Sequence, residues 1–382
     1  MAVVATYLDH AATTPVRPGA IEVLLPFLTE RYGNPSGAHR AARDARRALD
    51  DARDVMADAL GAQPGDVVFT AGGTEADNLA IFGTLAAAGG ERGAVVCSAV
   101  EHHAVLHAVE EVGGRVAPVD RQGRVDLDAL ADLLDEEVRL VSVMLVNNEV
   151  GTVQPLEAVA EVVRRRAPRA LLHTDAVQAL TWLDVASAAA GADLVSVSAH
   201  KFGGPKGTGA LVVRPGVELR ARIVGGGQER DRRSGTQNVA GIVAMAAAAE
   251  ETVRTRAETV ARVGALRSRL VGGLRAALPG LCETVDRAAA EVSPGIAHVC
   301  VPGAESEALL FLLEEAGVYA AAGSSCSSGA TQLSHVLVAM GVPEELGRGA
   351  LRLSLGYAST EADVDAALAA LPVAVARLQR AA

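Results

Sequence analysis

The stretch Ala192-Asp-Leu-Val-Ser-Val-Ser-Ala-His-Lys-Phe-Gly-Gly-Pro-Lys206 decides how the chain is read. Its first half, Ala192 to Ser198, is an apolar run that reads as a buried strand. Its second half holds Lys201 and Lys206, the only lysines in a chain that otherwise takes its cations from arginine. A guanidinium does not deprotonate in a protein, whereas an amine does and can then attack a carbonyl to form a Schiff base. A lysine at the carboxyl end of a strand sits where α/β folds place their chemistry. A surface turn with two lysines would look the same, so the flanking sequence has to decide.

Upstream, Asp66-Val-Val-Phe-Thr70 reads as a strand that runs into Ala71-Gly-Gly-Thr-Glu75 and a helix from Ala76 to Ala88. The free N–H groups of the helix start, the bare glycine backbone and the Thr74 hydroxyl can converge on one phosphate. Many such turns carry glycines for conformational reasons alone, and that reading stays open. Further strands over 94–98, 115–119, 140–146 and 171–175 alternate with helices that open at Glu101 and span 156–166. This β-α-β rhythm predicts a largely parallel sheet covered on both faces. His102, Asn148, Asp175 and Lys201 recur at strand ends, which predicts one cleft at one sheet edge. Helices over 22–31 and 36–60 precede these units.

Downstream, the glycine-rich polar run from Gly225 to Asn238 reads by composition as a solvated surface loop. A long helix from Val239 to about Leu278 then carries the chain into a second domain. There a strand near Ile296–Val301, a helix over Ser306–Ala316, an extended segment Val318–Ser325, a strand Leu351–Ser354 and a closing helix Glu361–Arg380 are expected. The expected division is a large domain over 16–256. A smaller α/β C-terminal domain over 257–382 would also take up the N-terminal segment 1–15. Internal repeats are not evident.

A chain of 382 residues with half of them hydrophobic has enough apolar material for two such cores. The formal net charge of −11 argues against a general nucleic-acid binder. Arg164-Arg165-Arg166 reads as the cationic end of a helix before Pro168. Apolar runs fall short of the ~20 residues a membrane span needs. The stretch Met1 to Asp9 lacks the basic region of a signal peptide. Four scattered cysteines without a C-x-x-C pair indicate neither a disulfide framework nor a zinc knuckle, which suits a reducing cytoplasm.

A Schiff-base lysine has requirements the chain can meet. If its partner is pyridoxal 5'-phosphate, a carboxylate must keep the pyridine nitrogen protonated so that the ring accepts electrons. Asp175, closing an apolar strand, is the candidate, with Gln178 in reach of the phenolic oxygen. Gly73, Thr74, Ser198 and His200 are candidates for the phosphate, and His102 for stacking on the ring. Each has a plainer reading: a helix cap for Asp175, a core histidine for His102, a strand residue for Ser198. Cys97, Cys282 and Cys300 read as packing residues. Cys326 stands among small polar residues in Gly323-Ser-Ser-Cys-Ser-Ser-Gly329, where a nucleophile that hands something on would stand. An incidental loop thiol is the alternative.

Taken together the motifs have a familiar order. They are Tyr7-Leu-Asp-His-Ala-Ala-Thr-Thr14, Gly33-Asn-Pro-Ser36, Phe69-Thr-Ala-Gly-Gly-Thr-Glu-Ala-Asp-Asn-Leu-Ala80, Glu101-His-His-Ala-Val-Leu106, Val146-Asn-Asn-Glu-Val-Gly151 and His173-Thr-Asp-Ala-Val-Gln178. Ser198-Ala-His-Lys201, Gly203-Gly-Pro-Lys-Gly207, Gly225-Gly-Gly-Gln-Glu-Arg230, Arg233-Ser-Gly-Thr-Gln-Asn238, the Cys326 run, Ser334-His-Val-Leu337 and Leu351-Arg-Leu-Ser-Leu-Gly356 complete the set. Over nearly its whole length the chain resembles the cysteine desulfurases of the class V aminotransferase family, in the branch that serves nitrogen fixation and iron–sulfur assembly.

The resemblance implies a homodimeric, pyridoxal-phosphate-dependent enzyme of fold type I that takes sulfur from L-cysteine and leaves L-alanine. It implies that Lys201 carries the cofactor, Asp175 pairs with the pyridine nitrogen, and Gln178 and Asn148 sit at the phenolic oxygen. His102 would stack on the ring, and Gly73, Thr74, Ser198 and His200 would bind the phosphate with Thr236 from a second subunit. Arg352 and Asn34 would hold the substrate carboxylate, and Cys326 would become a persulfide. The implied acceptor is an iron–sulfur scaffold or a thiolation enzyme. Cys326 could also serve as a transient iron–sulfur ligand, and no resident metal is implied.

Two departures stand out: Ser325 replaces the usual alanine before the cysteine, and the chain ends sooner after Arg352 than the housekeeping enzymes do. The second puts scaffold docking through a C-terminal extension in doubt. The spacing from Cys326 to Ser334 matches the branch with a long mobile catalytic loop. Selenocysteine lyase and other class V lyase or transaminase chemistry are the alternatives. Nucleotide binding at Gly72-Gly-Thr74 lacks the G-x-x-x-x-G-K-[ST] pattern.

Overall fold

The computed structural model describes residues 5–90, 93–323 and 333–381. The strands of the first part are β1 (Thr6–Tyr7), β2 (Val67–Thr70), β3 (Val95–Ser98), β4 (Arg115–Ala117), β5 (Leu140–Ser142), β6 (Leu171–Asp175), β7 (Leu194–Ser198) and β8 (Gly209–Val213). Later come β9 (Cys282–Glu283), β10 (Ile296–Cys300), β11 (Val318–Tyr319) and β12 (Ala350–Ser354). The helices are α1 (Pro18–Thr29), α2 (Arg40–Leu60), α3 (Gly73–Ala87), α4 (His103–Glu111), α5 (Leu127–Leu133) and α6 (Leu156–Arg166). They continue as α7 (Val185–Ala188), α8 (Val239–Ala277), α9 (Ser306–Glu315), α10 (His335–Ala339), α11 (Glu344–Gly347) and α12 (Glu361–Ala381).

Seven strands form one sheet in the order β2-β8-β7-β6-β5-β3-β4. From β7 to β4 every pairing is parallel, while β8 runs antiparallel to both of its neighbours. Two reversals cancel, so β2 points the same way as β7, and the carboxyl ends of β2, β3, β5, β6 and β7 share one edge. The mostly parallel α/β sheet is thus as expected, and its chemistry-bearing ends come together. Period-two alternation divides the strand residues between two apolar layers. Val67, Phe69, Val141, Leu172, Val195 and Val197 pack with α2, α6 and the first part of α8. Val68, Val95, Leu140, Leu194 and Leu211 pack with α3 and α4.

A smaller antiparallel sheet, β12-β10-β9, and the parallel pair β1–β11 lie with the later part of the chain. Leu8, Val299, Leu351, Leu309 and Leu371 share a core with Val263 to Leu274 of α8, so that one 39-residue helix enters both cores. The N-terminal segment also bridges Asp9 to Ser354 and so lies beside β12.

Some boundaries differ from the sequence reading. β5 stops at Ser142, and Val143 to Val146 form no strand although all four are buried. Burial made that run apolar, and the Val143 and Leu145 amides still bond the carbonyls of His173 and Asp175 at 3.1 and 2.9 Å. Helix α3 starts at Gly73, three residues before Ala76, which turns its free N–H groups towards the sheet edge. The extended segment from Val318 keeps only two strand residues, because β1 offers only two partners. Ser324 and Ser325 lie outside the described residues.

The Gly225–Asn238 loop is not merely solvated. Glu229 within it is buried and receives Arg53 Nη1 and Nη2 at 2.7 and 2.9 Å and the Phe69 amide at 3.0 Å. Glu229, Arg230 and Asp231 all have left-handed backbone, with φ of 50, 57 and 61°. Three such residues in succession cost on the order of 1–3 kcal/mol each, and the hydrogen bonds of the buried Glu229 side chain hold the loop in that conformation.

Candidate active site

A cavity of about 280 Å³ opens at the shared strand edge. The β2–α3 turn supplies Gly73 and Thr74, and α3 supplies Asp77. His102 enters just before α4, and Met144 and Asn148 after β5. The end of β6 gives Asp175, Val177 and Gln178, and the end of β7 gives Ser198, His200 and Lys201. Ala11 and Ala12 of the N-terminal segment and Arg352 of β12 complete the lining. Ten of the residues singled out in the sequence therefore share one cavity, although they span positions 73 to 352.

Asn34 and Thr236 do not line it. Both are exposed, and Asn34 Oδ1 accepts from the Ser36 amide at 2.9 Å. Cys326 lies outside the described residues. Gly323 and Ser334, on either side of that stretch, both meet the buried Glu149. The Ser334 hydroxyl donates to Glu149 Oε2 at 2.6 Å, and a Cβ on Gly323 would stand 2.9 Å from Oε1. Cys97 and Cys300 are buried and Cys282 partly so, all as free thiols, in keeping with packing roles.

At one end of the cavity the helix start of α3 faces Ser198. A Cβ on Gly73 would come within 2.8 Å of Val177 Cγ2, so the backbone approaches that wall in a way only glycine permits. Unpaired N–H groups there, with the Thr74 and Ser198 hydroxyls and the His200 ring, form a donor set suited to an anion. His200 Nδ1 lies 3.2 Å from Thr13 Oγ1. Burial, then Lys201 and Lys206, lower its pKa to about 4.

The middle of the cavity holds the titratable groups. Asp175 accepts the Val177 amide at 2.8 Å on Oδ1. Burial pushes its carboxyl up to about 6, against the pull of that hydrogen bond and of Lys201. The Lys201 ammonium donates to the carbonyls of Ala11 and Ala12 at 2.6 and 2.8 Å, and Gln178 Nε2 donates to Ala11 O at 2.7 Å. The N-terminal segment is thereby part of the site. His102 caps α4, with Nδ1 accepting the Ala104 amide at 3.1 Å, so its neutral ring carries the proton on Nε2. Burial, Lys201 and neighbouring histidines lower its pKa to about 4.

Arg352 reaches the cavity from the small sheet and is 2 % exposed. Nη1 donates to Asn148 O at 2.8 Å and Nη2 to Asp9 Oδ1 at 2.7 Å, while Nε has no hydrogen-bond partner among the described residues. A buried guanidinium with donors to spare is shaped to take a carboxylate.

Sequence reasoning passed over Asp77, Met144 and the Ala11 and Ala12 carbonyls. Asp77 had a signal, since it follows Thr74 by three residues and shares its helix face. Backbone carbonyls have none. Among the described residues no helix is long and apolar enough to cross a membrane, and no group of three His, Cys, Asp or Glu is placed to hold a metal ion.

Comparison with known proteins gives the family. The family model described as aminotransferase class-V matches residues 6–367. An IscS-like cysteine desulfurase of Mycobacterium tuberculosis is 46% identical over 387 residues, covering 98% of each chain. The chain belongs to the class-V aminotransferases, in their cysteine desulfurase branch. Among solved structures, a NifS-like protein superposes with a TM-score of 0.90 at 36% identity, covering 98% of this chain and 100% of that one. A second, SspA in complex with cysteine, does so with a TM-score of 0.77 at 30% identity, covering 93% and 100%. With this family membership the fold is that of the type I pyridoxal-phosphate enzymes.

Proposed function

We propose that this cysteine desulfurase holds pyridoxal 5'-phosphate in the cavity, takes sulfur from L-cysteine, and passes it through Cys326 to an acceptor protein, leaving L-alanine. The observation that carries the reading is the convergence of a glycine-started helix, a buried carboxyl group and an amine in one cavity. The three match a phosphate, a ring nitrogen and an aldehyde. The tight approach of Gly73 to Val177 and the anion-binding donor set around it fit the phosphate. Bound there, the cofactor supplies a carbonyl that condenses with amines and a ring that accepts an electron pair from Cα.

The residues have the following parts. Gly73, Thr74, Ser198 and His200 hold the phosphate. Asp175 presents its carboxylate to the ring nitrogen, His102 covers one ring face as a neutral imidazole, and Gln178 and Asn148 meet the phenolic oxygen. Lys201 would hold the cofactor, and its amine would remove the substrate Cα proton. The N-terminal carbonyls that now hold its ammonium give the released amine a place to rest.

Arg352 fixes the substrate carboxylate, and Asn34, which does not line the cavity, is its expected partner from the sequence. The Cys326 thiolate attacks the substrate sulfur, so that an S–S bond forms as the Cβ–S bond breaks. The electron pair of the broken bond stays on the substrate, Cβ takes up a proton, the Lys201 amine returns the proton to Cα, and alanine leaves. The persulfide on Cys326 then meets its acceptor, an iron–sulfur scaffold or a thiolation enzyme. Thr236, exposed at the Glu229-anchored loop, completes the phosphate site of a second copy in a homodimer. The exposed apolar residues Ile21, Leu25 and Leu28 of α1 support such an assembly.

The test is to load the protein with pyridoxal 5'-phosphate, add L-cysteine and assay alanine, in wild type and Lys201→Ala. Wild type yields alanine and a visible absorption band that borohydride fixes to Lys201. Alanine formation by Lys201→Ala at the wild-type rate would refute the reading.

A further inference from the structure

Behind Asp175, the sheet face covered by α3 carries a row of polar side chains. Ser142 lies on β5, His173 and Asp175 on β6, and Ser196 on β7. Ladder register sets Ser142 opposite His173 and Asp175 opposite Ser196. On the same face Leu140 and Leu194, two residues earlier on β5 and β7, are aliphatic and pack against α3 and α4. The polar row therefore begins where the face nears the cavity. Its first three side chains, Ser142, His173 and Ser196, are fully buried, where polar groups are costly unless they satisfy one another.

They do so in one consistent way. His173 Nδ1 lies 2.8 Å from Ser142 Oγ, and Nε2 lies 2.9 Å from Ser196 Oγ. Burial holds the imidazole neutral, with a pKa lowered to about 3. With its proton on Nε2, His173 donates to Ser196 and accepts from Ser142, which leaves the Ser196 hydroxyl proton for the Asp77 carboxyl against which it lies. Asp77 comes from α3, is 1 % exposed and lines the cavity. Its Oδ1 has no hydrogen-bond partner among the described residues and stands 3.6 Å from His173 Nε2. Among the described residues the titratable groups facing Asp77 are the carboxyls of Asp175 on β6 and of Glu101 before α4, the latter pushed up by burial to about 8, and the His173 ring beside it is neutral. Two carboxylates buried side by side without a cation between them do not both ionise. Of the two, Asp175 has Lys201 as a counter-charge.

We propose that Asp77 is a positioning residue for the cofactor: it stays protonated and, as a neutral hydrogen-bonding neighbour, leaves Asp175 the single ionised carboxylate that faces the ring nitrogen. The inference rests on the reading that Asp175 meets that nitrogen. Asp77 with the Ser142–His173–Ser196 row keeps water from the back of Asp175, so the charge is presented to the cavity alone.

The experiment titrates the visible absorption of the loaded enzyme with pH, measures cofactor affinity by fluorescence, and records the unfolding temperature of the cofactor-free protein. It compares wild type with Asp77→Asn, Asp77→Leu and Asp175→Asn. Asparagine reproduces a neutral carboxyl, so Asp77→Asn keeps the affinity within about threefold and the titration midpoint within about half a unit. Leucine has similar bulk but no polar atoms. Asp77→Leu weakens cofactor binding about tenfold or more and moves the midpoint.

A fall of the midpoint by about one unit or more in Asp77→Asn would show that a negative charge had been removed, and would overturn the proposal. Equality of Asp77→Leu with wild type in both readouts would overturn it too. Asp77→Ala serves the same comparison if the unfolding temperature shows that the leucine variant does not fold. Failure of the underlying reading is separate: it appears as an Asp175→Asn enzyme whose affinity and titration match wild type.

Discussion

Replacing Arg352 separates the shape of a guanidinium from its charge. Arginine has five N–H donors, of which one is bonded to Asn148 O at 2.8 Å and one to Asp9 Oδ1 at 2.7 Å. Among the described residues three remain without a partner, including the Nε–H, enough for a two-point grip on a carboxylate. A lysine ammonium has three donors, and keeping Asn148 and Asp9 leaves one. Arg352→Lys thus loses one charge-assisted hydrogen bond, about 1.5–3 kcal/mol, or about ten- to a hundred-fold in kcat/KM. Arg352→Gln also loses the charge, and the cost rises to about 3–5 kcal/mol.

The assay is alanine formation against L-cysteine concentration, with each variant saturated with cofactor. Because the carboxylate is held equally before and during the reaction, the loss falls on KM more than on kcat. The reasoning is refuted if Arg352→Gln keeps kcat/KM within about threefold of wild type, or loses it entirely in kcat.

Three further outcomes are expected. Gly73→Ala drives a Cβ against Val177 Cγ2, a β-branched side chain stiff at χ1, so cofactor affinity falls about tenfold or more by equilibrium dialysis while the fold persists. The Asp175 carboxyl titrates near 6 in the cofactor-free protein and near 4 unfolded, so the unfolded chain releases its proton first and stability falls as pH rises from about 4 to 6. Cofactor-free Asp175→Asn is therefore more stable than wild type at pH 7, by up to about 3 kcal/mol in urea unfolding, and no more stable below about pH 4. Glu229→Gln removes the partner of a buried Arg53 and the anchor of three left-handed residues, and costs about 3–5 kcal/mol in the same unfolding assay.

Much of this fold could be read from alternation alone. The strands ending at Thr70, Ser98, Asp175 and Ser198 are short apolar runs bounded by glycine or polar residues, and each stands within a residue or two of its expected place. The run through Val146 misled because a buried connection is as apolar as a strand, and periodicity does not separate the two. Side chains at strand ends were legible as a site because a parallel sheet brings such ends together. What sequence could not supply was pairing at long range. The Arg53–Glu229 bond joins positions 176 residues apart, and nothing in the loop's glycine-rich composition points to a buried carboxylate. The carbonyls of Ala11 and Ala12 carry no signature in their side chains. Asp77 and the Ser142–His173–Ser196 row lay inside apolar or helical stretches, where a polar residue reads as an exposed face until the register shows it turned inwards.

The most direct test of the account is a single turnover of cofactor-loaded protein with L-cysteine, without an acceptor, in wild type and Cys326→Ser. Alanine would be quantified, and the mass of the peptide that holds Cys326 measured. The account predicts that wild type releases alanine and gains one sulfur atom on that peptide, which a reductant removes as sulfide. Cys326→Ser should bind cofactor and substrate, shown by a change in the visible band, yet release no alanine. Alanine from Cys326→Ser at the wild-type rate, or an added sulfur on Cys97, Cys282 or Cys300 in place of Cys326, would contradict it.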